Sequence, residues 1–188
     1  MNESEEIRHC VELLLKGKVI IYPTDTIWGI GCDATNAKAI DKLFKIKNRP
    51  ENKSLIILVD SVDRIKDYVC NVPTITADLI GAAKRPLSII FDKGKNLAKN
   101  VSADETVCVR VVGDGFCGKL IKALGRPITS TSANMSGEPS PATFDDISER
   151  LKNASDYVVG LYRDIAKSPK PSTIIRLHDN NEFDIIRG

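Results

Sequence analysis

The sequence predicts a single α/β domain built on a mixed β-sheet flanked by helices. Helical and strand-like patterns alternate over the first two thirds of the chain, and strand-like patterns dominate the last third. The 188 residues suit one domain of ordinary size, so we expect residues 1–188 to form one unit. One run rich in Pro, Ser and Gly occurs, at residues 136–143, and it is short enough to be a loop.

The individual elements follow from two patterns. Apolar residues at every third or fourth position indicate a helix, as Ile7, Cys10 and Leu14 do near the N-terminus. Unbroken apolar runs indicate buried strands, as residues 19–22 do before Pro23. In chain order we expect a helix over 4–16, a strand over 18–22, a helix capped by Asn36 that runs to about residue 46, a strand over 55–59, helices that open at Ser61 and Pro73, strands over 87–91 and 106–112, a helix over 116–124, a strand over 127–131, a helix over 144–151, and strands near 156–160, 172–177 and 183–187.

Composition excludes several classes of protein. Lys plus Arg is 27 and Asp plus Glu is 25, so the formal net charge is +2. A net charge this small does not indicate a protein that binds polyanions. The apolar runs are too short to cross a membrane and the acidic N-terminus is no signal peptide, so we expect a cytoplasmic protein. Two histidines make His-based metal sites improbable. The five cysteines lack zinc or redox spacing, and we expect buried reduced thiols, with a disulfide pair as the alternative.

Polar residues follow the first predicted strand directly. Thr24, Asp25 and Thr26 lie at a strand end, where open α/β sheets bind ligands. Gly29 and Gly31 would let the backbone approach such a ligand closely. A plain turn with a hydrogen bond from Asp25 explains the same residues without a ligand. The segment is neither a dinucleotide fingerprint nor a phosphate-binding loop, because the third glycine and a Gly-Lys-Ser/Thr sequence are missing.

Cations are concentrated at residues 38–53, which hold six basic residues against two acidic ones. Lys47 and Arg49 fall just after the predicted helix and before Pro50, in a turn that can project them toward a phosphate or a nucleic acid. The lysines at 38, 42 and 45 are better explained as a solvated helix face.

Residues 129–136 carry five hydroxyls and one amide after a short apolar strand. Such a loop can surround a polyphosphate with neutral donors, and a structural turn rich in Ser and Thr is the alternative. A serine nucleophile is disfavoured, because the Gly-x-Ser-x-Gly elbow is missing and only His9 and His178 could act as its base. Residues 170–176 form a strand entered through hydroxyl residues, and Arg187 lies where a chain end is ordinarily frayed.

Together these segments resemble the YrdC-like family, the L-threonylcarbamoyladenylate synthases. The most specific features are Lys47-x-Arg49 and Ser132-x-Asn134-x-Ser136-Gly137. The matching segments keep the family's order over nearly the whole chain, and they are residues 23–33, 47–50, 53–58, 86–90, 109–111, 130–137 with Ser140, 171–175 and 186–187. The resemblance implies the family fold with a concave substrate groove, in the short form without a further C-terminal domain.

The resemblance also implies a reaction. ATP, L-threonine and bicarbonate would give threonylcarbamoyl-AMP and pyrophosphate, and partner proteins would then transfer the threonylcarbamoyl group to an adenosine beside the anticodon of tRNA. No tightly bound cofactor is expected, and Mg²⁺ would arrive on the phosphates of ATP and keep several waters. A membrane is not among the implied partners, whereas tRNA or another RNA is.

The family's site residues carry over to named positions of this chain. Lys47 and Arg49 would be catalytic, by neutralising charge on the leaving group. Threonine would contact Thr26 and Ser172, and Asn134 and Ser136 would shape the loop. The residues that would bind ATP are Arg49, Lys53, Ser88, Ser132, Ser140 and Arg187. Two positions depart from the family, since residues 83–86 lack its Trp-Pro-Gly-Pro and Asp92 stands where many members have a basic residue.

Two other functions remain open from the residues alone. The basic run suits an RNA-binding or ribosome-assembly module without chemistry, although such proteins usually expose aromatic side chains, and Trp28, Tyr22, Phe44 and Phe91 lie in apolar patterns. An enzyme that adenylates carbamate for carbamoyl transfer is the third possibility. The loop at 132–143 is a candidate lid in any of these functions.

Overall fold

The computed structural model describes residues 1–50, 53–164 and 171–188, so Lys170 of the predicted strand lies outside the described residues. The helices are α1 (Glu3–Leu15), α2 (Ala37–Lys47), α3 (Ile65–Tyr68), α4 (Thr76–Ala82), α5 (Phe116–Leu124) and α6 (Glu149–Ala154). The strands are β1 (Ile20–Pro23), β2 (Trp28–Gly31), β3 (Ile56–Val59), β4 (Leu87–Phe91), β5 (Val107–Val111), β6 (Ile128–Ser132), β7 (Tyr157–Val158), β8 (Thr173–Leu177) and β9 (Phe183–Arg187).

Within the described residues these strands form one mixed sheet. Its order is β7-β1-β2-β6-β3-β5-β4-β8-β9. The pairs β1–β7, β3–β5 and β4–β8 are parallel, and the remaining pairs are antiparallel. Helices α1 and α5 pack against each other and against β1, while α2 contacts β2 and α6. The predicted α/β class and mixed sheet are therefore confirmed.

The register of the strands separates the two faces of the sheet. Ile57, Val109, Ile89 and Ile175 stand opposite one another on neighbouring strands, and all four are buried in the core. Because side chains alternate along a strand, the next residue on each strand points to the other face. That face carries a second row, which crosses five strands from Leu58 through Arg110, Ser88 and Ile174 to Arg187. The register thus brings two arginines, far apart in sequence, to the same face.

Arg187 joins this row only because β9 contains a bulge. Ile175 pairs with Ile185, but the preceding residue of β8, Ile174, pairs with Arg187 and not with Ile186. Ile186 is therefore the extra residue, and it is exposed. Regular pairing would have placed Arg187 on the opposite face.

Two elements differ from the sequence prediction for identifiable reasons. The sequence predicts no strand at Trp28–Gly31, but the structure forms one there, and Gly31 lets it lie very close to β6. The helix predicted over 144–151 begins at Glu149, since the Asp146 carboxylate accepts the N–H groups of residues 142 and 143 and holds a turn there. Ser148 then caps the helix, which runs on to Ala154.

Four of the five cysteines are buried free thiols, as the sequence predicts. Cys10, Cys32, Cys108 and Cys117 are buried, whereas Cys70 is exposed. Burial raises the pKa of the Cys10, Cys32 and Cys108 thiols to about 12, so these groups stay protonated at neutral pH. Across the described ranges, no helix is both long and apolar enough to cross a bilayer.

Gly31 should be intolerant of even one methyl group. A Cβ at this position would lie 1.8 Å from the backbone oxygen of Thr129 on β6. Gly31→Ala should therefore lower the free energy of unfolding by about 1–3 kcal/mol or more, since the two strands must separate. Urea denaturation measures this difference. Gly81→Ala is the control, because a Cβ there meets nothing within 4 Å, and an equal loss in both variants would contradict the close-approach argument.

Candidate functional site

A cavity of about 300 Å³ opens on the face of the sheet that carries Arg110 and Arg187. Its walls come from the β1–β2 turn, the turn after α2, the loop after β6 and the starts of β8 and β3. Hydroxyl groups and guanidinium groups dominate the lining, and they belong to Thr24, Thr26, Ser54, Ser130, Thr131, Ser132, Ser140 and Ser172 and to Arg49, Arg110 and Arg187. Neutral donors together with three cations suit an anionic ligand.

Arg110 forms the base of this cavity, and sequence analysis did not assign it a role. Its side chain is only 6% exposed. Nη2 donates to Asp25 Oδ1 at 2.9 Å and Nη1 donates to Thr26 Oγ1 at 3.3 Å. Of its five N–H donors, these two are the ones with partners among the described residues, and the buried Nε has none. The sequence does contain a signal for Arg110, since it is a single arginine within a buried apolar strand. Burying an unpaired charge costs free energy, so such an arginine is expected to have a partner or a ligand.

The β1–β2 turn fixes which way the hydroxyl of Thr26 points. Thr24 Oγ1 donates its one proton to the backbone oxygen of Ile27 at 2.6 Å. In the 3.0 Å contact between the two threonine hydroxyls, Thr26 must therefore be the donor. Thr26 Oγ1 also accepts from Arg110, so one lone pair remains. Toward a ligand, Thr26 can act only as a hydrogen-bond acceptor.

Arg49 lies in the turn that follows α2, as predicted. Asn48 adopts the left-handed conformation that ends the helix, with φ of 49°. The Arg49 guanidinium donates to the backbone oxygen of Ser54 at 2.9 Å and to that of Lys53 at 3.4 Å. These contacts hold Arg49 along the cavity wall. Lys53 itself is exposed and is not among the lining residues.

Lys47 belongs to α2 and not to the turn after it, which corrects the prediction that it projects from that turn. Its side chain is 2% exposed, and Nζ donates to the backbone oxygens of Ser132 and Asn134, both at 2.5 Å. The Lys47 carbonyl also accepts the N–H of Ser136 at 3.0 Å. Burial, helped by the charge of Arg49, lowers the pKa of Lys47 to about 7, against the opposing effect of Glu138. Lys47 is not a lining residue of the cavity. It thus holds the loop after β6, residues 133–140, against α2 from outside the cavity, and we call this loop the hydroxyl loop.

The rest of the hydroxyl loop is held by its own backbone and by Asn134. Asn134 Nδ2 donates to the carbonyls of Met135 at 3.0 Å and Glu138 at 2.6 Å. Gly137 has φ of 91°, in the left-handed region, where the chain turns toward Ser140. Ser132 and Ser140 line the cavity, whereas Asn134 and Ser136 are not among the lining residues.

The opposite wall is made by the start of β8. Ser172 is 3% exposed, and its hydroxyl shares a 2.8 Å hydrogen bond with that of Ser88, which is fully buried. The backbone oxygen of Ser172 accepts from Arg187 Nη2 at 2.9 Å and from Nε at 3.2 Å. The end of β9 is therefore paired in the sheet, and Arg187 lines the cavity. Ser88 supports Ser172 and is not itself among the lining residues.

Asp92, which departs from the family pattern, pairs with an arginine of the adjacent strand. Its carboxylate accepts from Arg176 Nη2 on the adjacent strand β8, at 2.9 Å. Arg176 lies on the same face of the sheet as Ile174 and Arg187, since residues two apart on a strand share a face. A positive charge is thus present beside β4, supplied by the neighbouring strand.

Comparison with known proteins agrees with this arrangement. The family model for Sua5, YciO and YrdC proteins, described as telomere recombination, matches residues 12–188. The chain belongs to this family. Two relatives from the Sua5/YciO/YrdC family are both called threonylcarbamoyl-AMP synthase. The protein of Vibrio cholerae is 34% identical over 160 residues, which cover 82% of this chain and 85% of the relative. The protein of Pseudoalteromonas translucida is 29% identical over 178 residues, which cover 93% and 94%.

A solved structure of the Sua5/YciO/YrdC family is also similar. P. abyssi Sua5, crystallised with L-threonine, has a TM-score of 0.84 and 27% identity, and the match covers 94% of this chain. It covers 52% of the P. abyssi protein, so this chain spans about half of that protein's length.

The lowered pKa of Lys47 predicts a pH-dependent stability. Between pH 7 and the ordinary value of 10.5, the unfolded chain binds one more proton at this position than the folded chain does. The free energy of unfolding should therefore rise with pH in that window, by up to about 1.4 kcal/mol per unit, and Lys47→Met should lose this rise. Urea denaturation at pH 6, 7.5 and 9 compares the two proteins. Lys45→Met, at an exposed position of the same helix, should keep the wild-type slope.

Parallel stability curves for wild type and Lys47→Met would show that Lys47 is protonated normally in the fold. Loss of the rise with pH in Lys45→Met as well would show that the effect belongs to the helix charge in general.

Proposed function

We propose that this chain is a threonylcarbamoyl-AMP synthase, which makes threonylcarbamoyl-AMP and pyrophosphate from ATP, L-threonine and bicarbonate. The observation that carries the proposal is the buried Arg110 beside the acceptor-only hydroxyl of Thr26, because this pair matches the two ends of an amino acid. The names of the relatives and the threonine complex of P. abyssi Sua5 support the same assignment.

Threonine would bind at the base of the cavity. Its carboxylate suits Arg110, which has N–H donors left over from its contacts with Asp25 and Thr26. A donor of the substrate, its amine or its hydroxyl, suits the remaining lone pair of Thr26. Ser172 faces the same cavity from β8 and completes this end of the site.

ATP would occupy the rest of the cavity. Arg49 and Arg187 line it from two sides, and their charges suit the phosphates. Ser132 and Ser140 would add neutral donors from the loop that Lys47 holds in place. Lys53 is exposed and directly precedes the lining residue Ser54, so it would reach the nucleotide from outside the lining. Mg²⁺ would arrive on the phosphates with its waters.

The reaction needs positioning more than a protein nucleophile. The threonine nitrogen bonds to the carbon of CO2 derived from bicarbonate, and the resulting carbamate loses a proton to solvent. A carbamate oxygen then attacks the α-phosphorus, the bond to the bridging oxygen breaks, and pyrophosphate leaves. Arg49 and Arg187 would stabilise the charge that grows on the leaving group. Lys47 would contribute through the loop, since its ammonium contacts loop carbonyls.

The product would pass to proteins that transfer the threonylcarbamoyl group to tRNA, and we infer a cytoplasmic location for both steps.

The alternative function, an RNA-binding module without chemistry, finds less support. Exposed aromatic side chains could have stacked on bases, but the four candidates are only 0–2% exposed, and they are Tyr22, Trp28, Phe44 and Phe91. Adding ammonium to the assay below, so that carbamate forms from bicarbonate, also tests the carbamate-adenylating alternative, which would then release pyrophosphate without threonine.

Thr26→Val tests the substrate assignment. In the presence of ATP and bicarbonate the wild type should release pyrophosphate with L-threonine and not with other amino acids. Thr26→Val should raise the KM for threonine by about tenfold or more and leave the KM for ATP nearly unchanged, because one acceptor facing threonine is lost. Thr74→Val, an exposed position away from the cavity, is the matched control. Equal changes in both KM values would contradict the assignment, and pyrophosphate release without threonine would contradict the function.

Removal of Arg187 and Gly188 tests the end of β9. The truncation removes almost no apolar area but loses the two hydrogen bonds from Arg187 to the Ser172 carbonyl, so thermal stability should fall only slightly. ATP affinity or turnover should fall by about tenfold or more, because a charge-assisted contact to phosphate is lost. Removing Gly188 alone should have no effect. Full activity of the two-residue truncation, with a normal melt, would show that Arg187 does not contact the nucleotide.

A further inference from the structure

Asp25 lies between the two threonines of the β1–β2 turn, but it reaches Arg110 from outside the substrate cavity. It is not among the residues that line that cavity. It lines a second cavity of about 300 Å³ behind the turn, together with Val112, Phe116 and Tyr162. Its carboxylate oxygen is 2.9 Å from Arg110 Nη2. Asp25 therefore contacts the back of the guanidinium whose front faces the substrate cavity.

The guanidinium of Arg110 is held at both of its terminal nitrogens. Asp25 accepts from Nη2 and Thr26 accepts from Nη1. A planar group held at two points has a fixed orientation, so the direction of its remaining N–H groups is fixed as well. Asp25 is the carboxylate that the described structure pairs with Arg110, and without it one of these two points is lost.

We propose that Asp25 is a positioning residue that aims Arg110 at the carboxylate of the substrate and so sets the preference for an amino acid over an analogue that lacks the carboxylate. This proposal rests on the proposed function, in which Arg110 binds that carboxylate. The preference follows from charge and geometry together, because a bidentate contact needs both oxygens of the carboxylate to meet N–H groups in one plane.

Asp25 is not needed to form the turn. Thr24 Oγ1 accepts the N–H of Thr26 at 3.0 Å and donates to the carbonyl of Ile27 at 2.6 Å, so Thr24 closes the turn without Asp25. The Asp25 side chain is 40% exposed, so solvent screens part of its attraction to Arg110. Loss of the Asp25 charge should therefore change selectivity in a protein that still folds, at some cost in melting temperature because Arg110 is buried.

The test compares the binding of L-threonine and L-threoninol, in which an alcohol replaces the carboxylate. Calorimetric titration of the wild type, Asp25→Asn, Arg110→Ala and the double variant gives the ratio of the two dissociation constants for each protein. Asp25→Asn should lower the preference for threonine by about tenfold, with threoninol binding unchanged. The same substitution in the Arg110→Ala background should have no further effect, because Asp25 acts through Arg110.

Asp114→Asn is the matched control. Asp114 lines the same second cavity and loses the same charge, but it is exposed, and in the described structure it makes no hydrogen bond or ion pair with Arg110. It should keep the wild-type preference. An Asp25→Asn variant with unchanged preference overturns the proposal, and so does a further loss in the Arg110→Ala background, which would mean that Asp25 contacts substrate directly.

Failure of the proposed function gives a different result. In that case the wild type would bind threonine and threoninol equally, or Arg110→Ala would keep the wild-type preference. Either result overturns the assignment of Arg110 as well as the role of Asp25.

Discussion

The site depends on burying the charge of Arg110 in the middle of a β-sheet. Removing a guanidinium from water costs several kcal/mol unless other groups compensate it. Here the compensation comes from Asp25 and Thr26 at the tip of the β1–β2 turn. The tip can reach Arg110 because Gly29 leaves room for it, since a Cβ at Gly29 would lie 3.0 Å from the methyl group of Thr24. One buried charge thus accounts for the polar turn and for the glycine that follows it.

The other buried cation, Lys47, has the opposite geometry. Arg110 keeps N–H groups free toward the cavity, whereas Lys47 directs its amine at two backbone oxygens of the loop after β6. An amine that has lost its proton still carries two N–H groups, which is enough for two carbonyls. The loop therefore stays attached whether or not Lys47 is charged. The Lys-x-Arg motif combines two separate tasks, since Lys47 holds the loop and Arg49 faces the cavity.

Much of the fold could be predicted from the sequence, because continuous apolar runs and helical periodicity are local signals. The strand at Trp28–Gly31 could not, since its glycines reflect a close approach to another strand that no local pattern reveals. For the site, the resemblance to a family identified Thr26, Arg49, Ser132 and several others that the structure brings around one cavity. Their roles remain predictions.

Sequence analysis missed the role of Arg110 and the contacts of Lys47 with the loop after β6 for a common reason. Each depends on which residues stand opposite one another across strands or between a helix and a distant loop. Arg110 meets the β1–β2 turn only because β5 pairs with β3 and β4 in one register. Local periodicity determines that a strand forms, but it does not determine this long-range pairing.

The bulge in β9 has a consequence for how sequences of this family are aligned. Ile186 is an extra residue, and a strand without it would pair its terminal arginine with Ile174 just as this chain does. A one-residue gap immediately before the final arginine would then change the length of the chain without changing the face on which the arginine lies. Such a gap leaves the position of the arginine side chain unchanged. A gap of the same size in the unbulged part of the strand would instead place the arginine on the face away from the cavity. Equivalence at this position is therefore decided by the pairing partner on β8 and not by the number of residues counted from the hairpin.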